Sequence, residues 1–294
     1  MTIADSFETI LDRCLFTQRE ALQLEGREKG VKRSLKARLP IVKSRTIGSY
    51  ARGSTIRQTS DLDVLAVLAV LSRDGVRRGG RRVRSSTVLD SVRLALSDRY
   101  PSTAIGRDGQ AVVVAFAEGT SVDVVPAVFA APLPSGRPVY DIPDGRGGWM
   151  RTAPGSHNQY IADADARSGR HLRSVAKLFK YWRWTRSTPV PINSFHVGLL
   201  MASEELCRVG TTNRYSFALT LERLASRRCA ALDDPLAVSG LVPACNTPAK
   251  CRTALATVKT SARRAAAAVD AEHRGDHREA RSLWRLVFNG RFPR

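Results

Sequence analysis

Gly48-Ser49, followed after eleven residues by Asp61-Leu62-Asp63-Val64-Leu65-Ala66-Val67-Leu68, joins a turn to a strand that starts on two acidic residues. Alternate residues of a strand point to one face, so Asp61 and Asp63 project together while Leu62 and Val64 face a core. Neighbouring carboxylates with no Lys or Arg between them repel each other unless a cation binds. Hard oxygen ligands of this kind suit Mg²⁺, which is commonly held by one or two carboxylates plus substrate phosphates. The Gly48-Ser49 turn offers backbone N–H groups and a hydroxyl to such phosphates, because glycine allows close backbone approach.

A third carboxylate, Asp123, stands in the otherwise apolar run Val122-Asp123-Val124-Val125-Pro126. A buried carboxylate is costly unless it is paired or binds a metal. Beside Asp61 and Asp63 it completes the ligand set of a two-metal site. In such a site one ion activates the attacking hydroxyl and the other steadies the leaving group. An isolated Asp-x-Asp is a weak signal; the ordered set of turn, paired acids and distal acid is a specific one.

Outward from this centre, apolar periodicity predicts one long N-terminal helix over residues 4–38, stopped at Leu39-Pro40. Strands are expected over 41–47 and 61–71, an Arg- and Gly-rich loop over 73–84, and a helix over 87–99. Residues 103–107 and 111–117 flank Asp108-Gly109, a hairpin turn signal, and a further strand covers 121–129. The Pro- and Gly-rich segment 131–156 reads as a boundary. Beyond it the pattern is helical: 157–167, 170–186, 194–209, 216–230, 249–270 and 278–288. The expected class is α+β, with domains over 1–155 and 156–294 and an active site in the cleft between two lobes.

Composition narrows the function classes. The net charge of +20, mostly from arginine, favours anionic partners: nucleoside triphosphates, and a nucleic acid is permitted. Asp5, Glu8 and Asp12 near the start are unlike the basic, apolar head of a signal peptide. The apolar run at 64–71 is too short to cross a bilayer, so a cytoplasmic protein with no membrane partner is expected. The five cysteines are scattered, without zinc-ligand spacing, so reduced thiols are the expectation.

The order Gly48-Ser49, Asp61-Leu62-Asp63, Asp123 resembles the signature of polymerase-β-like nucleotidyltransferases. Lys180-Tyr181-Trp182 followed by Ser194-Phe195-His196-Val197 is similar to the matching segment of cyclic GMP-AMP synthase and its bacterial relatives. Those relatives are the cyclic-oligonucleotide synthases (CD-NTases) of CBASS anti-phage defence. The likeness runs from about residue 45 to 290, with Trp284 and residues 288–293 included. It implies a mixed-sheet core lobe with a long N-terminal helix, a C-terminal helical bundle, and synthesis of a cyclic di- or oligonucleotide messenger from nucleoside triphosphates, ATP among them. It implies Mg²⁺ (or Mn²⁺) at Asp61, Asp63 and Asp123. Lys180 and Ser194 would grip the triphosphate tail, Phe195 would lie near the nucleobase, and a downstream effector would read the messenger. The zinc thumb of the animal DNA sensor is not in the sequence, so DNA activation is not implied. The chain closes on Pro293-Arg294, where some bacterial relatives carry a small residue for conjugation.

Residue chemistry agrees with the likeness. Leu172, Ala176, Phe179 and Trp182 form an apolar helical stripe, and Arg173, Lys177, Lys180 and Trp184 fall on another face, free to line a cleft. Ser194 sits at a helix start, where free N–H groups favour a phosphate. Two plainer readings stay open here: Ser194 as an N-cap alone, and Lys180 as a surface lysine. Two other functions also fit the same residues. One is a template-independent RNA-tailing or adenylyl-transferring enzyme. The other, a silent nucleic-acid-binding module, sits poorly with an intact carboxylate trio.

Overall fold

Where the periodicity predicts one helix over residues 4–38, the computed structural model has two, α1 (Ile3–Arg13) and α2 (Gln18–Arg38). A capping box starts the second. The Thr17 N–H donates to Glu20 Oε2 at 2.8 Å, and the Glu20 N–H donates back to Thr17 Oγ1 at 3.3 Å. The halves then serve different cores. The structure describes residues 1–59, 61–69, 77–78 and 81–294; part of the expected strand end and of the Arg- and Gly-rich loop, residues 70–76, 79 and 80, lies outside them.

The chain continues through β1 (Ile41–Ile47), a short helical turn α3 (Gly48–Ala51), and β2 (Asp61–Leu68). After β3 (Arg77–Arg78), β4 (Arg81–Arg82) and α4 (Ser85–Ser97) come the hairpin β5 (Ala104–Asp108) and β6 (Ala111–Ala115), then β7 (Ser121–Pro132). The segment expected as a boundary instead holds two strands, β8 (Pro138–Pro143) and β9 (Trp149–Thr152). Of its prolines, Pro132, Pro138 and Pro143 stand at strand ends, where proline is tolerated. These strands extend a seven-stranded mixed sheet of order β1-β2-β7-β6-β5, with β8 on β7 and β9 on β8. The β2–β7 pair is parallel and the others are antiparallel.

Strand alternation builds two cores. Leu62, Val64 and Ala66 of β2 and Val122 and Val124 of β7 pack with Leu24, Val31 and Leu35 of α2 and Leu89, Val92 and Leu96 of α4. Leu65, Val67, Val125 and Ala127 point the other way and pack with Tyr140 and Ile142 of β8. Glu28 fastens α2 to β1: its carboxylate accepts from Lys32 at 2.5 Å and from the Thr46 hydroxyl of β1.

The remaining elements are α5 (Pro154–Arg167), α6 (His171–Trp184), α7 (Ser194–Ser203), α8 (Asn213–Ser226), the short β10 (Leu232–Asp233) and β11 (Leu241–Val242), α9 (Pro248–His273) and α10 (His277–Val287). Among the described residues no helix is long and apolar enough to cross a membrane. All five cysteines are free thiols.

Two compact units result: a sheet unit of residues 16–53 and 60–159, and a helical unit of 1–15, 54–59 and 160–294. The expected division at 155 differs because the first helix belongs with the later ones. Ile3, Phe7 and Ile10 of α1 and Ile56 are buried in the helical unit's core. Phe7 meets Trp284, Phe288 and Phe292 edge-on at centroid distances of 4.9, 5.8 and 5.3 Å. Replacing Phe7 by Ala removes these contacts and leaves a cavity. We expect a loss of about 3–5 kcal/mol, in the range for buried aromatic truncations, read by urea unfolding followed through tryptophan fluorescence. A loss below about 1 kcal/mol would show that α1 does not stabilise the helical unit.

Candidate functional site

The parallel register of β2 and β7 pairs Asp61 with Ser121 and Asp63 with Asp123. Partners in register on neighbouring strands point to one face, so all three carboxylates lie on the face that continues into Leu65, Val67, Val125 and Ala127. α2 and α4 cover the opposite face. Polar strand starts therefore open the face that its apolar continuation anchors.

Beside this pair, the antiparallel register places Ile47, the last residue of β1, opposite Asp63. The next residue is Gly48, at φ +67°, and a Cβ built there would lie 2.6 Å from Asp63 Cγ. Only glycine fits, both for its backbone conformation and for the carboxylate beside it. Ser49 follows in the same turn. The five residues Gly48, Ser49, Asp61, Asp63 and Asp123 thus share one unit, as the motif order suggests.

Electrostatics at this face is strained. Burial, and then the Asp63 carboxylate, push Asp123 up to about 7, with Asp61 and Asp108 adding to the rise and the Ser121 hydrogen bond opposing it. The Ser121 hydroxyl lies 3.0 Å from both Asp61 Oδ1 and Asp123 Oδ1. It has one proton, so it satisfies one carboxylate at a time. Arg52, from the turn after Gly48, is held with its Nη1 donating to Asn158 Oδ1 at 2.9 Å. Burial lowers the Arg52 pKa to about 10 while the charge of Asp63 opposes the drop.

These residues fit a hard divalent cation by donor type and charge. Like-charged carboxylates in register, one with a raised pKa, are what a cation would relieve. Among the described residues no three His, Cys, Asp or Glu side chains are arranged to enclose an ion by themselves. A site completed from substrate phosphates and water, as Mg²⁺ prefers, needs only one or two of the carboxylates at a time.

Lys180, Ser194 and Phe195 belong to the helical unit. On α6 the buried stripe includes the expected Leu172, Phe179 and Trp182 but also Val175, Leu178 and Tyr181; Ala176 packs at its edge. Two residues expected to be free for a cleft are engaged. Arg173 pairs with Asp165 at 3.2 Å, and Trp184 packs partly against the core with the Arg291 guanidinium 4.7 Å above its ring. Lys180 is half-buried. Ser194 is not the cap of α7. Asn193 is, its Oδ1 accepting from the Phe195 N–H at 2.9 Å, while the Ser194 hydroxyl accepts from Arg183 Nη1 at 2.8 Å. Phe195 itself is partly buried against the helical core. His157 and His196 are buried, and Nδ1 of His196 meets the Val242 carbonyl at 3.0 Å. Trp149 pins its own strand, its indole donating to the Val83 carbonyl at 2.9 Å.

Sequence reasoning missed Ser121 and Arg52. Ser121 carried a signal, since it precedes Asp123 by two on a strand and must share its face. Arg52 had none, because the turn that brings it near Asp63 is set by long-range pairing.

The profile of the Second Messenger Oligonucleotide or Dinucleotide Synthetase domain matches residues 1–165. A probable cyclic nucleotide synthase of Bacillus cereus (strain VD146) is 25% identical over 166 residues, which is 49% of this chain and 50% of that relative. The match thus spans half the length of the curated relative. Among solved structures, Escherichia coli MS115-1 CdnC with ATP superposes with a TM-score of 0.73 over 99% of both chains at 18% identity. The CD-NTase CdnG of Bradyrhizobium diazoefficiens in complex with GTP gives 0.72 over 98% of this chain and 95% of that one at 14% identity. These likenesses establish the α+β, polymerase-β-like fold: a mixed sheet followed by a helical region.

The raised pKa of Asp123 has a measurable consequence in metal-free buffer. Its folded value of about 7 exceeds the ordinary 3.8, so the native state holds a proton that the unfolded state releases. The stability this group contributes is full below 3.8 and is lost as pH rises to about 7. Asp123→Asn should flatten that part of the pH profile and melt above the wild type at pH values beyond this window. The check is thermal unfolding of both proteins in chelator across the window; parallel profiles would contradict the assignment.

Proposed function

The chain belongs to the Second Messenger Oligonucleotide or Dinucleotide Synthetase family, and we propose that it joins nucleoside triphosphates into a cyclic di- or oligonucleotide messenger. The observation that carries this reading is the register of β2 on β7, which sets Asp63 against Asp123 on one face of the sheet. ATP is the first candidate substrate and GTP the next, in line with the nucleotides in the matched CdnC and CdnG structures. In this reading the messenger serves anti-phage (CBASS) signalling by binding a downstream effector.

Mg²⁺, replaceable by Mn²⁺, is the cation assigned to Asp61, Asp63 and Asp123, where it supplies neutralisation of phosphate charge and eases loss of a proton from the attacking hydroxyl. Asp123, in register with Asp63 on the same face, is assigned to help activate the attacking hydroxyl. Gly48 lets the turn approach Asp63 closely, and Ser49 offers its hydroxyl to a phosphate oxygen. Lys180 and Ser194 are assigned to the triphosphate tail and Phe195 to the nucleobase.

In the reaction, a ribose hydroxyl of one nucleotide attacks the α-phosphorus of another, and pyrophosphate leaves. The linear product still carries a 5′-triphosphate. Turned round, it presents that triphosphate to a second attack by its own hydroxyl; pyrophosphate leaves again and the ring closes.

Asn in place of both Asp61 and Asp63 keeps the side-chain shape and removes the charge. We expect pyrophosphate release to fall by at least about a hundredfold, since each such contact is worth several kcal/mol in the transition state. A double variant with wild-type turnover would remove the metal assignment.

The product separates cyclase from tailing enzyme. Labelled nucleotides and Mg²⁺ or Mn²⁺, without template or acceptor, should yield a species that resists phosphatase, because a ring has no terminal phosphate. A ladder that grows only on added RNA, with no resistant species, would favour the RNA-tailing reading.

A further inference from the structure

We propose that Arg183 is a positioning residue for triphosphate binding, holding Ser194 so that its hydroxyl proton is presented to a phosphate oxygen. The proposal rests on the reading of Ser194 as a triphosphate contact.

Arg183 stands in the last turn of α6, and its planar fork spans to the segment that leads into α7. Nη1 donates to Ser194 Oγ and Nε donates to the Val190 carbonyl, each at 2.8 Å. A serine hydroxyl has one proton and two lone pairs. With a lone pair occupied by the guanidinium, the proton of Ser194 is turned away from Arg183. Among the described residues no acceptor takes it. The hydroxyl is therefore oriented as a donor, and the adjacent positive charge polarises it in the sense that strengthens donation to an anion.

The backbone around Ser194 is held as well. The Asn193 N–H donates to the Ala244 carbonyl at 2.8 Å, and the Asn193 side chain caps α7 through the Phe195 N–H. With capping assigned to Asn193, the serine hydroxyl is not needed to satisfy the helix start. Lys180 lies three residues before Arg183 on α6, so the two cations are neighbours on that helix. A phosphate chain suits the combination of an oriented hydroxyl, a helix start and two cations.

The plain alternative is that Arg183 only ties α6 to Val190. Affinity and coupling separate the two. ATP and inorganic tripolyphosphate are titrated with Mg²⁺ into the full chain by calorimetry, for the wild type, Arg183→Ala, Ser194→Ala and the double variant. We expect each single change to weaken both ligands about tenfold, the size of one hydrogen bond to a charged group. The double variant should be no weaker than the worse single, because Arg183 acts through Ser194. Arg183→Lys, which keeps a donor for Oγ but lacks the fork, should fall between wild type and Arg183→Ala, and it carries the test where the alanine variant does not fold. Wild-type affinity in Arg183→Ala and Arg183→Lys, or fully additive losses in the double variant, overturns the proposal. Wild-type affinity in Ser194→Ala instead removes Ser194 from the triphosphate site, which is a failure of the reading beneath.

Discussion

The sheet unit depends on β2 and β7 lying parallel and in register, because that pairing alone puts Asp63 beside Asp123. Parallel neighbours need a crossover, and here the chain between them supplies α4 and the β5–β6 hairpin. α4 buries Leu89, Val92 and Leu96 against one face of the strands, with α2 beside it. Burial of that apolar face fixes which side of each strand is covered, and period-2 alternation sends the carboxylates to the other side. Burial first, and then the repulsion this creates with Asp63, raise the pKa of Asp123. Apolar residues further along the same strands, Leu65, Val67, Val125 and Ala127, hold the strands together despite it.

The turn after β1 adapts to that arrangement. Because Ile47 pairs with Asp63, the residue that follows has no room for a side chain, and glycine at φ +67° is the solution the chain uses. The same turn delivers Arg52, whose charge lies near Asp63 and whose guanidinium is fixed by Asn158. A close backbone, a hydroxyl at Ser49, a half-buried cation and three carboxylates thereby gather from segments far apart in sequence. The polarity of this face belongs to its tertiary setting, since each residue taken singly is ordinary for a protein surface.

The helical unit follows a different logic. Its largely aliphatic core holds an aromatic cluster formed from both ends of the chain: Phe7 from α1 meets Trp284, Phe288 and Phe292. Phe217 of α8 stacks on Phe288 at 5.4 Å. On this core α6 keeps Lys180 and Arg183 half-buried, while Asn193 and Arg183 share the task of presenting the start of α7. The rigid apolar side of each helix is what gives its polar side a defined position.

By itself the sequence determined most of the elements and their apolar faces. The alternation around Asp61, Asp63 and Asp123, the hairpin at Asp108-Gly109 and the helices after residue 157 were readable because strand and helix periods are local properties. The family likeness was readable too, since it rests on short motifs in a fixed order. The tertiary structure alone decided which elements meet. It gave α1 to the helical unit and turned the Pro- and Gly-rich segment into β8 and β9, whereas the break at Thr17 rests on a local capping box that the periodicity passed over. It also placed Gly48 and Arg52 against Asp63, Ser121 between two carboxylates, and Arg183 on Ser194. The reason is physical: a local pattern states that a face is apolar or charged, whereas its partner is chosen by long-range packing, to which every element contributes at once.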